Sequence, residues 1–192
     1  MIALQKPLIL ASNSPRRKQL LTDAGFDFTV EVLPTDESFP ASLPAEQVAD
    51  FISKEKAEMF RGIRPDAIVL TADTIVVANH EILGKPADRD EAFRMLQMLS
   101  GQTHTVITSV SLLSADNIET VSDVAEVTFS ALEEWEITRY IEHYKPFDKA
   151  GSYGIQEWIG MVAVEKIEGS FYTIMGLPVH IVYKLLKPYF IS

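Results

Sequence analysis

The sequence predicts an α/β fold in which strands and helices are mixed along one domain, covering residues 1–192. Short apolar runs are typical of strands that other layers cover, and the amphipathic segments between them carry helix-start signals. Hydrophobic residues make up 47% of the chain, which is enough for a sizeable core. We find no internal repeat, linker or low-complexity segment that would divide it.

The chain opens with a strand, a turn and a helix. Leu8–Ala11 is apolar, and Ser14 and Pro15 after it are residue types favoured as N-cap and first helical residue. Gly25 is the type of residue that ends a helix in the left-handed conformation. A second strand is predicted at Phe28–Leu33.

A helix and a divided strand follow. Apolar residues at helical spacing predict a helix over Pro44–Arg61. Ala67–Leu70 reads as a buried strand that polar residues interrupt at Thr71–Thr74 and that resumes at Ile75–Val77. Asn79-His80 is then expected at the tip of a hairpin.

Two capping boxes mark the later helices. Asp88 with Glu91 predicts a helix that ends at Gly101, and Ser130 with Glu133 predicts one that ends near Tyr144. The other predicted elements are strands at His104–Leu113 and Ile118–Phe129, a hairpin of Met161–Ile167 with Phe171–Met175, and a last helix after Pro178.

Composition argues against several partners and sites. The 17 Lys and Arg against 27 Asp and Glu give a net charge of -10, which disfavours a nucleic-acid duplex or an anionic membrane surface as a partner. The absence of cysteine excludes disulfides, thiolate zinc sites and cysteine nucleophiles. The N-terminal apolar run is only about four residues long, too short for a signal peptide or a membrane span, so a cytoplasmic protein is expected.

Two arginines follow the first helix start. A helix N-terminus suits anions, so Arg16 and Arg17 in the first turn weaken the helix slightly unless an anion bridges them. Guanidinium groups suit phosphate oxygens, and Ser12 and Ser14 add hydroxyl donors. The alternative is that both arginines are solvated or paired with acidic neighbours.

Carboxylates provide a second candidate group. Asp73 lies between two apolar runs, where a carboxylate is costly to bury unless it is paired, hydrogen-bonded or close to a metal. It is equally compatible with a capped turn at a strand end. Asp36 and Glu37 lie in a Pro-bounded loop, and the three carboxylates together would suit Mg²⁺ if the chain brought them together.

Three further side chains are candidates. Lys56 lies at the edge of its helix's apolar face, where it either snorkels or reaches a phosphate, and Lys85 lies in a stiff turn before Pro86. Gln156 ends a Gly-rich loop and could read the edge of a base, although a simple turn explains the glycines equally well. The histidines at positions 80, 104, 143 and 180 lack metal-ligand spacing, so they are expected to be structural or on the surface.

Several motifs together resemble the Maf family of nucleoside triphosphate pyrophosphatases, in order and over nearly the whole chain. They are Ser12-Asn13-Ser14-Pro15-Arg16-Arg17, Ala72-Asp73-Thr74, Gly84-Lys85-Pro86, Leu99-Ser100-Gly101-Gln102-Thr103-His104, Asp148-Lys149-Ala150-Gly151-Ser152-Tyr153-Gly154-Ile155-Gln156 and Met175-Gly176-Leu177-Pro178.

The resemblance implies hydrolysis of a nucleoside triphosphate between the α and β phosphates, assisted by a divalent metal, Mg²⁺ or Mn²⁺. It also implies an elongated mixed sheet flanked by helices, with two lobes and a central cleft, as in the inosine triphosphatase fold. The implied roles are a catalytic proton acceptor at Asp73, substrate specificity at Arg16, Thr74 and Gln156, phosphate binding at Ser12, Arg17, Lys56 and Lys85, and metal binding at Asp73 and Glu37.

The loop from Tyr153 to Gln156 resembles the subgroup that acts on dTTP and UTP. Two alternatives stay open: a pyrophosphatase for another nucleotide such as 7-methyl-GTP, and a non-catalytic nucleotide-binding regulator of cell division. The sequence also leaves open whether Asp73 is a base or a metal ligand. The resemblance is compatible with a homodimer, although no apolar stripe identifies an interface.

Overall fold

The structure is a computed structural model that describes residues 2–191. Its strands are β1 (Leu8–Leu10), β2 (Thr29–Val30), β3 (Ile68–Ala78), β4 (Glu81–Leu83), β5 (Thr103–Ser114), β6 (Asn117–Phe129) and β7 (Val164–Glu168). Its helices are α1 (Pro15–Asp23), α2 (Ala45–Glu58), α3 (Arg89–Leu99), α4 (Glu134–Tyr144), α5 (Trp158–Ala163), α6 (Phe171–Met175) and α7 (Val179–Leu186).

Within the described residues, the strands form one seven-stranded mixed sheet. Its order is β2-β1-β3-β5-β6-β7, and β4 pairs with β3. β1 is parallel to both of its neighbours, with Leu10 opposite Val30 on one side and Leu70 on the other. β4 and β7 are antiparallel to β3 and β6. This mixed sheet with its helices confirms the predicted α/β class.

The chain divides into two compact units. Unit 1 comprises the residues up to Asp73, Thr108–Asp123 and the residues from Gly176 onward, and unit 2 comprises Thr74–Ile107 and Val124–Met175. Each unit has its own buried apolar cluster. In unit 1 it comprises Ile9, Ala11, Ala57, Phe60, Ala67, Val69 and Leu113. In unit 2 it is larger and includes Leu96, Leu99, Val127, Phe129, Ile137, Tyr140 and Ile159.

Several predicted element ends are confirmed. The Ser14 side chain accepts a hydrogen bond from the Arg17 amide at the start of α1, and Gly25 after it has φ 82°. Asp88 accepts from the amide of Glu91 at 2.9 Å, as predicted for α3. Asn79 and His80 both have positive φ, which is typical of a tight hairpin turn between β3 and β4.

Two predicted strands have other bounds. β3 is continuous through Thr71–Thr74, so the predicted interruption is wrong. The polar side chains of this stretch have hydrogen-bonding or ionic partners, which are described below, and the backbone therefore stays extended. β2 has two residues rather than the six of Phe28–Leu33, and both are exposed. Since this strand lies at the sheet edge, extending it would bury little apolar surface.

Two predicted elements in unit 2 are correct only in part. The helix expected to begin at Ser130 begins at Glu134, because the amide and hydroxyl of Ser130 donate to the carbonyl of Ala163 and Glu133 forms the capping box with Glu136. Phe171–Met175 is a helical turn rather than the second strand of a hairpin, whereas β7 confirms most of the first strand, whose opening residues 161–163 belong to α5. The amides of Thr173 and Ile174 both donate to the carbonyl of Ser170, which closes that turn.

His104 lies in an aromatic cluster of unit 2, as expected for a structural histidine. Its side chain is buried, with Nε2 2.8 Å from the hydroxyl of Tyr153, and its ring meets Phe129 and Tyr153 edge-on. Among the described residues, Nδ1 is buried without a hydrogen-bond partner. Desolvation lowers the pKa of His104 to about 4, so the imidazole is neutral near pH 7.

The described part of the chain contains no helix that is long and apolar enough to cross a membrane.

We predict that His104 makes the protein acid-sensitive. Its pKa is lower in the folded than in the unfolded state, so its contribution is complete above about pH 6.5 and falls by about 3 kcal/mol as the pH drops to about 4. Urea unfolding across this range should therefore show a shallower pH dependence for His104→Gln than for the wild type. His143→Gln, at an exposed position, is the control; an unchanged slope in His104→Gln contradicts the prediction.

Candidate active site

Asp73 is a buried carboxylate in the middle of a long strand of unit 1. Its residue is 9% exposed, and a carboxylate in such a place needs a cationic or hydrogen-bonding partner. Lys56 Nζ provides it at 2.8 Å from Asp73 Oδ1, and the same atom lies 2.7 Å from Glu37 Oε1. One ammonium group therefore joins two carboxylates. We call these three residues the Lys56 group.

Helix α2 places Lys56 at the boundary of its buried face. The buried residues of this helix are Val48, Ala49, Ile52, Ser53 and Ala57. Lys56 is half-buried beside them, whereas Lys54 is exposed, as the helical periodicity predicts. Lys56 also lies in the last turn of α2, where the helix dipole favours a cation.

A second contact between α2 and β3 lies beside the Lys56 group. Thr71 Oγ1 donates to the carbonyl of Ser53 at 2.7 Å, and both side chains are buried. Ser53 is three residues before Lys56 on the helix, and Thr71 is two before Asp73 on the strand, so each pair shares a face. The hydroxyl contact and the ion pair therefore fix the helix against the strand at two successive positions.

The hydrogen bonds between hydroxyl groups extend further through unit 1. Ser53 Oγ is 2.8 Å from Ser111 Oγ, which is 2.9 Å from Thr120 Oγ1. The buried polar atoms of Ser53, Thr71 and Ser111 are thus all hydrogen-bonded, as a stable interior requires. The sequence analysis missed this network and read Thr71 as the start of an interruption.

The oxygen atoms of the Lys56 group fit a divalent cation. Mg²⁺ binds in proteins through one or two carboxylates together with substrate phosphates, and here one cationic nitrogen already lies between two carboxylates. The third expected carboxylate is placed differently: Asp36 is exposed and accepts from the amide of Ser38. Among residues 2–191, no cluster of three or more His, Cys, Asp or Glu side chains is arranged to hold a metal.

Arg17 makes a partly buried connection inside unit 1. Its Nε donates to the carbonyl of Gly176 at 2.7 Å, and Nη1 donates to the carbonyl of Ala72 at 2.8 Å and to Ser12 Oγ at 3.3 Å. The Ala72 carbonyl belongs to the residue just before Asp73. Arg17 therefore supports the backbone that carries the candidate base.

The charges around Arg17 act in both directions. Burial lowers the pKa of the Arg17 guanidinium, the negative charge of Asp73 raises it, the positive charge of Arg16 lowers it, and Glu37 raises it. An arginine stays charged in any case. Arg16, Arg17 and the Lys56 group thus influence one another electrostatically, with several cationic groups beside two carboxylates.

The remaining sequence-predicted residues belong to unit 2. Thr74 is half-buried in β3, and Lys85 and Gln156 are exposed. The amide of Gly151 donates to the carbonyl of Gly84 at 3.1 Å. The structure therefore joins the turn that carries Lys85 to the Gly-rich loop that leads to Gln156.

A polar cluster that the sequence analysis missed holds that loop. Glu157 accepts a short hydrogen bond from the Tyr140 hydroxyl and lies 3.3 Å from Lys149 Nζ. The Tyr140 oxygen in turn accepts from the amide of Gly154 at 2.9 Å. Burial, the hydrogen bond to Glu157 and its negative charge raise the pKa of Tyr140, so its hydroxyl keeps its proton. Positions 140, 149 and 157 have no shared periodicity that could have revealed this cluster.

Gly154 makes room for this packing. A Cβ built there would lie 2.7 Å from the carboxyl carbon of Glu157, closer than such contacts occur. The glycine therefore allows the loop backbone to approach Tyr140 and Glu157 directly, just before Gln156.

Comparisons with known proteins identify similar chains. The family described as Maf-like protein matches residues 7–189. The dTTP/UTP pyrophosphatase of Bacteroides fragilis is 48% identical over 182 residues, and that of Phocaeicola vulgatus is 50% identical over 182 residues; both alignments cover 94% of each chain. The dTTP/UTP pyrophosphatase of Porphyromonas gingivalis is 47% identical over 186 residues, covering 95% of this chain and 94% of that one.

Among solved structures, the chain is similar to the Ham1 protein of Staphylococcus aureus. The TM-score is 0.49 with 10% sequence identity, over 65% of this chain and 72% of that one.

We predict that Thr71→Val destabilises the protein by about 1 kcal/mol, because it removes a buried hydrogen bond while preserving side-chain shape. Thr71→Ser should recover part of this loss by restoring the hydroxyl. The control is Thr22→Val, which removes an exposed hydroxyl that also bonds to a helix carbonyl. Chemical denaturation measures all three, and equal effects at positions 71 and 22 contradict a special role for the buried contact.

Proposed function

Because the chain belongs to the Maf-like protein family, we propose that it is a nucleoside triphosphate pyrophosphatase that hydrolyses dTTP and UTP. The observation that carries the chemistry is the Lys56 group, in which the buried Asp73 lies beside the ammonium of Lys56 and within the electrostatic reach of Arg17. The substrate class is supported by the names of relatives that are about half identical over nearly the whole chain.

In the proposed reaction, a water oxygen attacks the α-phosphorus of the nucleotide. The bond from that phosphorus to the oxygen bridging to the β-phosphorus breaks, so the products are a nucleoside monophosphate and pyrophosphate. The water loses its proton to a base, and we assign this role to Asp73, which is placed by a rigid strand and by the Arg17 contact to Ala72.

Most of the acceleration in phosphoryl transfer comes from positioning and from neutralising charge. We assign phosphate binding to Lys56, Lys85, Arg17 and Ser12. Arg17 also supports the strand, because its Nε and Nη1 already donate to backbone carbonyls. Its Nη1 donates a further hydrogen bond to Ser12 Oγ. The Lys56 ammonium lies at the end of a flexible stem, so it can move between the carboxylates and a phosphate.

We assign Asp73 and Glu37 as the residues that hold a divalent cation, Mg²⁺ or Mn²⁺. When bound, this ion polarises a phosphoryl oxygen and lowers the pKa of a water molecule. The support is the oxygen donor set and the single cationic nitrogen within 2.8 Å of both carboxylates.

We assign substrate choice to Arg16, Thr74 and Gln156. The amide of Gln156 has both donors and an acceptor, which suits the hydrogen-bonding edge of a pyrimidine base. Polar contacts of this kind reject analogues that cannot pair with them more strongly than apolar pockets do. The contacts of Glu157 with Tyr140 and Lys149 provide the loop before Gln156 with a defined conformation.

A cytoplasmic location, a homodimeric state and the lack of binding to nucleic-acid duplexes stay predictions from the sequence. Cell fractionation, sedimentation velocity and a duplex-binding titration test them separately.

A panel of nucleoside triphosphates with Mg²⁺ or Mn²⁺ tests the proposed activity. We expect pyrophosphate release to be fastest with dTTP and UTP, because the relatives of the same length carry that name. The panel includes 7-methyl-GTP, because a preference for it would show that the protein acts on another class of nucleotide. Release of orthophosphate alone would place the cleaved bond elsewhere, and no pyrophosphate from any nucleotide would falsify the proposal.

We predict that Asp73→Asn lowers kcat by at least about 100-fold, because an amide cannot accept the proton. Mn²⁺ binding, measured separately, distinguishes the two roles assigned to this residue. Retained Mn²⁺ affinity with lost turnover indicates a base, and loss of both indicates a metal ligand. Near-normal turnover in Asp73→Asn excludes either role. Asp50→Asn, on the same unit outside the Lys56 group, is the matched control.

A further inference from the structure

Lys56 occupies the position that a metal ion would need. Its nitrogen lies 2.7 Å from Glu37 Oε1 and 2.8 Å from Asp73 Oδ1. A divalent cation coordinated by the same two oxygens would be about 2 Å from each. The ammonium and the metal would then overlap or lie in direct repulsive contact, so both cannot hold these oxygens together.

Glu37 is the member of the Lys56 group that is open to solvent, whereas Lys56 and Asp73 are mostly buried. Side-chain exposure is 15% for Lys56, 13% for Asp73 and 48% for Glu37. The two carboxylates are close enough to one nitrogen that they would repel each other without a cation between them. A lysine can leave such a position easily, because its charge is at the end of four flexible carbons.

We propose that Lys56 is an internal counter-ion that holds Asp73 and Glu37 together before metal binds, and that a divalent cation displaces its ammonium from them. This inference rests on the proposed metal-assisted function. The displaced ammonium becomes available to the phosphate oxygens of the nucleotide. The same side chain thus serves the carboxylates first and the substrate afterwards.

Displacing Lys56 should make metal binding to the wild type measurably weaker. In the wild type the cation must break two ion contacts of Lys56 before it can bind, whereas Lys56→Met lacks this competing ammonium. We expect Lys56→Met to bind Mn²⁺ about tenfold more tightly than the wild type, the size of effect that displacing two partly exposed ion pairs implies. The binding is measured without nucleotide, from the electron paramagnetic resonance signal of unbound Mn²⁺.

The melting temperature gives a second readout. Without metal, Lys56→Met should melt below the wild type, because two neighbouring carboxylates lose the ammonium that lies between them. Saturating Mn²⁺ should narrow this difference, since the metal replaces the missing charge. If Mn²⁺ leaves the difference in melting temperature unchanged, Lys56 has a purely structural role and the exchange does not occur.

Lys54→Met is the matched control. It removes the same charge from the same helix, but Lys54 is exposed and lies away from the buried face. Because the protein has a net charge of -10, any lost lysine could tighten cation binding in general. Equal tightening in Lys54→Met and Lys56→Met overturns the proposal, as does unchanged or absent Mn²⁺ binding in Lys56→Met.

The wild type provides a test that does not depend on folding of the methionine variant. The ammonium resonance of Lys56 can be assigned by its absence from Lys56→Arg, and Mg²⁺ should shift or broaden it. A resonance that stays unchanged while Mg²⁺ binds contradicts displacement. If the wild type releases no pyrophosphate from any nucleotide, the proposed function is wrong. If turnover is normal but Mn²⁺ affinity is the same in the wild type and Lys56→Met, only the proposed exchange is wrong.

Discussion

The ion contact between Lys56 and Asp73 is the interaction on which the site in unit 1 depends. A carboxylate that is 9% exposed inside a β-strand would be unstable there without a partner. The lysine allows β3 to continue through this position, and the Thr71 contact with Ser53 holds the same helix and strand one step further along. Arg17 supports the same strand by donating a hydrogen bond to the carbonyl of Ala72, the residue just before Asp73.

The elements that periodicity and capping specify could be predicted from the sequence. α1 and α3 follow from side-chain caps and apolar faces that lie within or next to one helix, and α2 follows from its apolar face alone. β3 could not be read correctly, because the partner of Asp73 lies 17 residues earlier in another element. Ser130 shows the same limit: a good capping residue was already bonded to the distant Ala163 carbonyl.

The candidate site shows a similar division. Residue types and motif spacing identify Asp73, Arg16, Arg17 and Lys56, since charged groups at such places need an explanation. They do not reveal which groups act on one another. That Arg17 bonds to backbone carbonyls, and that Lys56 joins Asp73 to Glu37, depends on packing between separate segments. Glu157 was missed for the same reason, because its partners Tyr140 and Lys149 come from a helix and a turn.

The close approach at Gly154 has a consequence for how this chain can vary. A methyl group at position 154 would meet the carboxyl group of Glu157, and the amide of Gly154 is also bonded to Tyr140. Positions 154 and 157 are therefore not independent: a larger residue at the first is compatible with the present backbone only if the Glu157 carboxyl group moves away or the side chain at 157 is shortened. Divergence in this loop is expected to proceed by paired substitutions, with single changes at Gly154 passing through a strained intermediate.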